Sequence, residues 1–244
     1  MSATTRWHKT FFSALIALLL IGVPGISSAK TINNQQNEYG NLGGTWWEWA
    51  FDTGFAQFGE GDVDCGVGQS GGVWYLAGTF GDPAERNCTI PTGKRLFFPL
   101  ANQLIFFEEG VDNEVFDLTL AEKRIFLDSR VGGGTSSDDP GVAALYAFLN
   151  QFFPFFSVVA CDLHATLDGE PLIFTTPTVR AQSGPVTITT DEEALADGFY
   201  IRLDPLDAGE HVLEFGGASC DVENLDVRDF ETTVIYNLTV EDSD

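Results

Sequence analysis

Three segments of this chain alternate apolar and polar residues with a period of two, and that alternation constrains the fold more than any other feature. In the first, Cys161, Leu163, Ala165 and Leu167 fall on one face while Asp162, His164, Thr166 and Asp168 fall on the other, ahead of an Asp168-Gly169 turn. In the second, Phe199, Ile201 and Leu203 alternate with Tyr200, Arg202 and Asp204. In the third, Thr232, Val234, Tyr236, Leu238 and Val240 oppose Thr233, Ile235, Asn237, Thr239 and Glu241. Such segments are half-buried antiparallel strands, and their spacing between Gly, Pro and Asp turns points to a sandwich. Upstream, Val73–Phe80 carries no polar residue until Thr79 and reads as a strand covered on both faces. Arg86–Ile90 and Arg95–Phe107 supply further strands around a Pro91–Lys94 turn. The expected class is mainly β (α+β): an antiparallel β-sandwich with inserted short helices and two disulfides.

The helices are read from their caps. Residues 30–44, rich in Asn, Gln and Gly, read as a flexible lead-in. Thr45-Trp46-Trp47-Glu48 matches a capping box, so a short helix is expected from Thr45 until Gly54 ends it. Glycines from Gly59 to Gly72 then mark a loop pinned by Cys65. A second capping box, Thr119–Glu122, leads into Lys123–Arg130, and Asp139-Pro140 opens a helix over Val142–Phe153. The expected organisation is a mixed β/α region over 45–157 and an antiparallel sandwich part over 158–244, which the pattern also allows to be one continuous domain.

Residues 1–29 combine basic Arg6 and Lys9, the apolar run Phe11–Val23 and a small-residue exit at Ser27-Ser28-Ala29, the pattern of a secretory signal peptide. The apolar run is shorter than the roughly 20 residues a helical bilayer span needs, so no membrane span is expected after cleavage at Ala29. Loss of this segment removes Arg6 and Lys9 but no acid, deepening a formal charge that is already −24 for the whole chain. A surface this acidic repels nucleic acid and anionic lipid. Disorder is excluded, because 44% hydrophobic and 13% aromatic residues suffice for a core. Cys65, Cys88, Cys161 and Cys220 are even in number in a chain expected to be secreted or periplasmic. Of the three pairings, Cys65–Cys88 and Cys161–Cys220 keep each bridge within one region. Zinc is disfavoured, since there is no CxxC and few histidines.

Several stretches resemble a widespread group of exported bacterial proteins with no assigned activity. They are Trp46-Trp47-x-Trp49-Ala50, Cys65-x-x-Gly68-Gln69-Ser70-Gly71-x-Val73-Trp74-x-Leu76-Ala77-Gly78 and Arg86-x-Cys88-Thr89-x-Pro91-x-Gly93-Lys94, with Asp168-Gly169-x-Pro171, Asp197–Tyr200, Pro205-Leu206-x-x-Gly209-x-His211 and Tyr236–Val240 downstream. The resemblance implies export and brings no function with it. The closing strands are also similar to bacterial immunoglobulin-like domains.

Four constellations could carry chemistry. Gly68-Gln69-Ser70-Gly71-Gly72 satisfies the GxSxG of a nucleophile elbow, but a strand rather than a helix is expected after Ser70; Asp204 and His211 would complete a triad. His164 lies beside Asp162 on a polar strand face, and Glu48 and Asp52 share a helix face as a carboxylate pair would. Glu60, Asp62 and Asp64 alternate along a glycine loop and offer hard oxygens for Ca²⁺, the one cofactor the sequence suggests. Trp46, Trp47 and Trp49 cannot share one face of a helix turn, so one should reach the surface or a partner, where a tryptophan can stack on a sugar. The balance points to a secreted, non-catalytic binding or surface-associated protein for a polysaccharide or cell-surface component. The alternative is a secreted hydrolase using Ser70 or an acidic pair.

Overall fold

The computed structural model describes residues 26–106, 158–173, 178–189, 192–221, 224 and 226–242. One helix, α1 (Ile26–Asp52), precedes ten strands: β1 (Val73–Tyr75), β2 (Ala84–Pro91), β3 (Arg95–Phe106), β4 (Val158–Leu167), β5 (Glu170–Pro171), β6 (Thr178–Gln182), β7 (Val186–Thr189), β8 (Glu192–Leu203), β9 (Gly209–Asp221) and β10 (Arg228–Glu241). They form two five-stranded sheets packed face to face. Sheet A runs β1-β3-β8-β6 with β7 also on β8, and sheet B runs β2-β10-β9-β4-β5. The pairings are antiparallel except β1 with β3 and β2 with β10, which are parallel. Each sheet therefore joins strands from both sides of residue 157. Residues 1–25 of the expected signal peptide, and the helices expected over 123–130 and 142–153, lie outside the described residues.

Alternation sets which side chains meet between the sheets. Val234, Tyr236 and Leu238 of β10, Leu213 and Phe215 of β9, and Ala84, Cys88 and Ile90 of β2 pack against Leu96, Phe98, Leu100, Ile201 and Leu203 of sheet A. Full burial of an aliphatic or Phe side chain is worth about 1.5–3 kcal/mol, so this row is the main source of cohesion. Phe97 and Tyr200 lie on the opposite face of sheet A and pack under α1 with Tyr39, Trp46 and Trp49. Sheet A is thus covered on both sides, which is why β3 carries consecutive phenylalanines instead of a strict alternation.

The helix differs from its sequence reading. Residues 30–44 are helical, and Thr45 and Glu48 sit inside α1 instead of capping it. Gly40, Gly43 and Gly44, spaced i, i+3 and i+4, form one face on sheet A. A Cβ on Gly43 would lie 2.8 Å from the Tyr200 ring and hydroxyl, one on Gly44 would lie 2.6 Å from Val186 Cγ1, and one on Gly40 would strike the Gln182 carbonyl. Glycines that disfavour an isolated helix here allow close docking, and tertiary packing overrides propensity. The helix lies against the outer face of sheet A, over β6, β7, β8 and β3, and not between the sheets. Its end near Gly54 is as expected: Gly54 has φ 60°.

Two local details shift positions of interest. The expected strand Val73–Phe80 pairs only as far as Tyr75, after which the chain leaves the sheet. In β4, a bulge between Cys161 and His164, with Asp162 at φ 49°, inserts one residue against β9. Cys161 is therefore out of phase with Leu163, Ala165 and Leu167, whose shared face the sequence had extended to it. The Asp168-Gly169 turn has φ 53° and 82° at its two residues, as a tight hairpin requires. Disulfides join Cys65 to Cys88 and Cys161 to Cys220, with Cα separations of 5.7 and 6.0 Å, and no cysteine is free among the described residues. Two such bridges mark an oxidising, extracytoplasmic environment. No described helix is long and apolar enough to cross a membrane.

Candidate functional site: an aromatic cavity at the open edge of the sandwich

Because β1 pairs only with Arg95–Phe97, no strand from β1 covers the edge of β3 beyond Phe97. A cavity of about 270 Å³ opens there. Its floor comes from Pro99–Gln103 of β3 and from Ala160, Gly217, Ala218 and Ser219 of sheet B, where small residues leave room. Its walls are Trp46 and Trp47 of α1, Phe58, and the segment Gly78-Thr79-Phe80, with Phe230 and Thr232 of β10 opposite.

The segment 76–79, which leads into that wall through Gly78 and Thr79, is held from four directions. Trp46 Nε1 donates to Leu76 O (2.9 Å), and the Tyr236 hydroxyl both donates to Ala77 O (2.8 Å) and accepts from Ala77 N (3.1 Å). Thr79 N donates to Thr232 Oγ1 (3.2 Å), and the two threonine hydroxyls bond each other at 2.9 Å. Arg86 supplies the fourth hold. It points inward from β2, is 0% exposed, and donates to Ala77 O (2.8 Å), Gly78 O (3.1 Å), Gly59 O (2.9 Å) and the Tyr236 hydroxyl (2.6 Å). Three backbone carbonyls and a hydroxyl, and no carboxylate among the described residues, thus solvate this guanidinium. Burial pushes the Tyr236 hydroxyl pKa up, and the Arg86 charge opposes that rise.

The three tryptophans separate by role. Trp46 and Trp49 are buried and their indole N–H groups are committed, the latter to Val67 O at 3.1 Å. Trp47 is half-buried, and its Nε1 has no acceptor among the described residues. Phe58 stacks on Phe80 at 5.2 Å, and Phe80 is 68% exposed, so aromatic surface runs from the cavity to the outside.

The other sequence candidates do not converge. Ser70 is exposed in its loop, whereas both ring nitrogens of His211 are engaged, Nδ1 with Asp168 Oδ2 (2.9 Å) and Nε2 with Asp207 O (3.0 Å). The carboxylate beside His211 is therefore Asp168 and not Asp204, and no ring nitrogen is left for Ser70. That contact raises the His211 pKa and lowers that of Asp168. His164 Nδ1 meets the Asp162 carbonyl (2.9 Å), while the Asp162 carboxylate is drawn to Arg228. Glu48 has a raised pKa, first from burial and then from Asp52 one turn away, but neither lines the cavity. In the acidic loop, Asp62 accepts from Asn87 Nδ2 (2.8 Å) and Asp64 from Gly66 N (3.0 Å), and Glu60 is exposed. Among the described residues, the carboxylate, histidine and cysteine atoms that cluster in threes belong to Cys161, Asp162 and Cys220, where both cysteines are already bridged. Glu60, Asp62 and Asp64 are not part of that cluster.

Phe58, Phe80, Asn102 and Phe230 were not singled out from sequence, and neither was Arg86. Arg86 did carry a signal: it shares a strand face with Cys88 and Ile90, which would place a charge inside. Comparison with protein-family models, curated proteins and solved structures finds no match.

Proposed function

We propose that this is an exported, non-catalytic binding protein that holds a small ligand in the cavity at the open edge of the sandwich. One observation carries the reading: a braced, largely apolar cavity of about 270 Å³ has no acidic or basic side chain among its described lining residues. A hydroxyl acts as a nucleophile only beside a base, and the described lining sets no histidine, carboxylate, lysine or free thiol beside Ser219, Thr79 and Thr232. Binding needs a shaped apolar hollow with a few polar groups, which it does present. The bridged cysteines and the signal-like N-terminus support work outside the cytoplasm, as does the resemblance to exported bacterial proteins. Of the tryptophans expected to stack on a polysaccharide, Trp47 and Trp46 border the cavity and Trp49 does not, which favours a compact ligand over a polymer.

The test is a fragment screen by thermal shift on the wild type and on Ala101→Phe, which fills the floor. Fragments that raise the melting temperature of the wild type are expected to lose their effect on the filled variant. Turnover of ester, glycoside or peptide substrates that disappears in Ser70→Ala would refute the non-catalytic reading.

A further inference from the structure

We propose that the cavity takes an uncharged compound with a hydrocarbon body, which lies on the floor and reaches out to the exposed rings of Phe80 and Phe230; this rests on the binding reading above. Charge is the first reason. The chain carries 36 Asp and Glu, yet no described lining residue is acidic or basic. An anion would approach against a formal charge of −24, lose its hydration and find no counter-ion. Aromatic rings alone can hold a cation, but a cage needs them on several sides. Here they face the aliphatic floor of Pro99, Leu100, Ala101 and Ala160, and no carboxylate belongs to the described lining.

The polar groups of the lining are largely committed. The Thr79 and Thr232 hydroxyls bond each other, and Thr232 Oγ1 also accepts from Thr79 N. The Asn102 amide lies beside the Tyr200 hydroxyl, on the face of sheet A that α1 covers, and Gln103 has a partner of its own. A sugar needs many donors and acceptors at once and would leave most of its hydroxyls unmatched here.

The surface at the opening points the same way. Among the described residues the large apolar side chains left exposed are Phe80, Val212, Val227 and Phe230, and the two phenylalanines both border this cavity. Phe80 is held in place: it stacks on Phe58 at 5.2 Å and meets Phe55 at 5.6 Å, while Phe230 comes within 3.7 Å of where a Cβ of Gly81 would stand. Rings fixed in water beside a hollow favour a ligand that covers them, because apolar surface gains when it leaves water. A cavity of about 150 Å³ suffices for benzene, so one of about 270 Å³ takes a two-ring compound.

Isothermal titration calorimetry on the intact protein at physiological salt compares naphthalene, 2-naphthoate, tetramethylammonium and methyl β-glucoside. Naphthalene is expected to bind saturably, naphthoate at least roughly tenfold more weakly, and tetramethylammonium and the glucoside not at all. Phe80→Ala and Phe230→Ala should each weaken naphthalene roughly tenfold, the scale of one aromatic contact, and unchanged melting by circular dichroism shows that these variants are folded. Val212→Ala, at an exposed apolar residue outside the lining, should leave the affinity unchanged. Binding of naphthoate, tetramethylammonium or the glucoside as tight as that of naphthalene overturns the ligand class, and undiminished affinity in both phenylalanine variants overturns the placement at the opening. If naphthalene fails to bind while other fragments still distinguish wild type from Ala101→Phe, the class is wrong and the site stands; if no fragment does so, the binding reading itself falls.

Discussion

Replacing Arg86 by leucine tests whether the cavity wall is braced as described. The guanidinium is fully buried and spans two groups of acceptors: one terminal nitrogen reaches Ala77 O and the Tyr236 hydroxyl, the other Gly59 O and Gly78 O. Leucine removes all four bonds. Ala77 O keeps the Tyr236 hydroxyl as donor, but Gly59 O and Gly78 O lose the donor that Arg86 provided. An acceptor left unpaired in the interior costs about 1–3 kcal/mol, but Gly59 is exposed and Gly78 partly buried, so water replaces part of the loss and relief from burying a charge returns more. The net expectation is a loss of about 1–3 kcal/mol. Lysine keeps the charge but cannot fork to both pairs, so Arg86→Lys should fall between leucine and wild type. Urea unfolding followed by circular dichroism measures both, and unchanged m-values show that the shift is one of stability. A leucine variant within about 0.5 kcal/mol of wild type would refute the idea that Arg86 braces this wall, since that is the scale of an ordinary surface substitution.

The remaining predictions concern other parts of the fold. His211 has a raised pKa, so its share of the Asp168 contact is complete below the unfolded value near 6.5 and fades as pH rises through the folded one; the lowered pKa of Asp168 makes its share fade as pH falls below about 4. His211→Ala should therefore lower the melting temperature most between about pH 4 and 6.5 and hardly at all at pH 9, with a loss under about 1 kcal/mol because Asp168 is half-exposed; an equal loss at all three pH values would contradict the pairing. Gly43→Ala should cost about 1–3 kcal/mol by driving a methyl into Tyr200, whereas Gly71→Ala, with open space around it, should show only the strain of its φ of 66°. Reduction should destabilise through both bridges, more through Cys161–Cys220, whose partners are 59 residues apart, than through Cys65–Cys88 at 23, by about 4 against about 3 kcal/mol on loop entropy. Single Cys-to-Ala pairs measured by urea unfolding would reveal the order. Millimolar Ca²⁺ is expected to leave the melting temperature unchanged, and a rise abolished by Asp62→Asn with Asp64→Asn would make the acidic loop a metal site after all.

Much of the sandwich was legible in the residues themselves. A strand shows alternate side chains to opposite faces, so the rows Val234-Tyr236-Leu238 and Leu213-Phe215 declare their inward side without knowledge of any partner, and Asp168-Gly169 declares its turn. Of the three pairings open to the cysteines, the favoured one, with each bridge inside one stretch of the chain, is the one found. What lay beyond such reading depended on partners distant in sequence. The glycine-rich segment before Trp46 has no reason to be helical until Tyr200, Val186 and Gln182 present the surface its glycine face fits. The bulge at Asp162 moved Cys161 out of its expected row through pairing with β9. The cavity gathers Trp47, Asn102, Gly217 and Phe230 from four elements, and it lies where β1 has stopped at Tyr75 and no described strand pairs with that edge of β3. Local periodicity can specify which face of a strand is apolar; where two sheets fail to meet is a property of the assembled fold, since empty space has no residue to encode it.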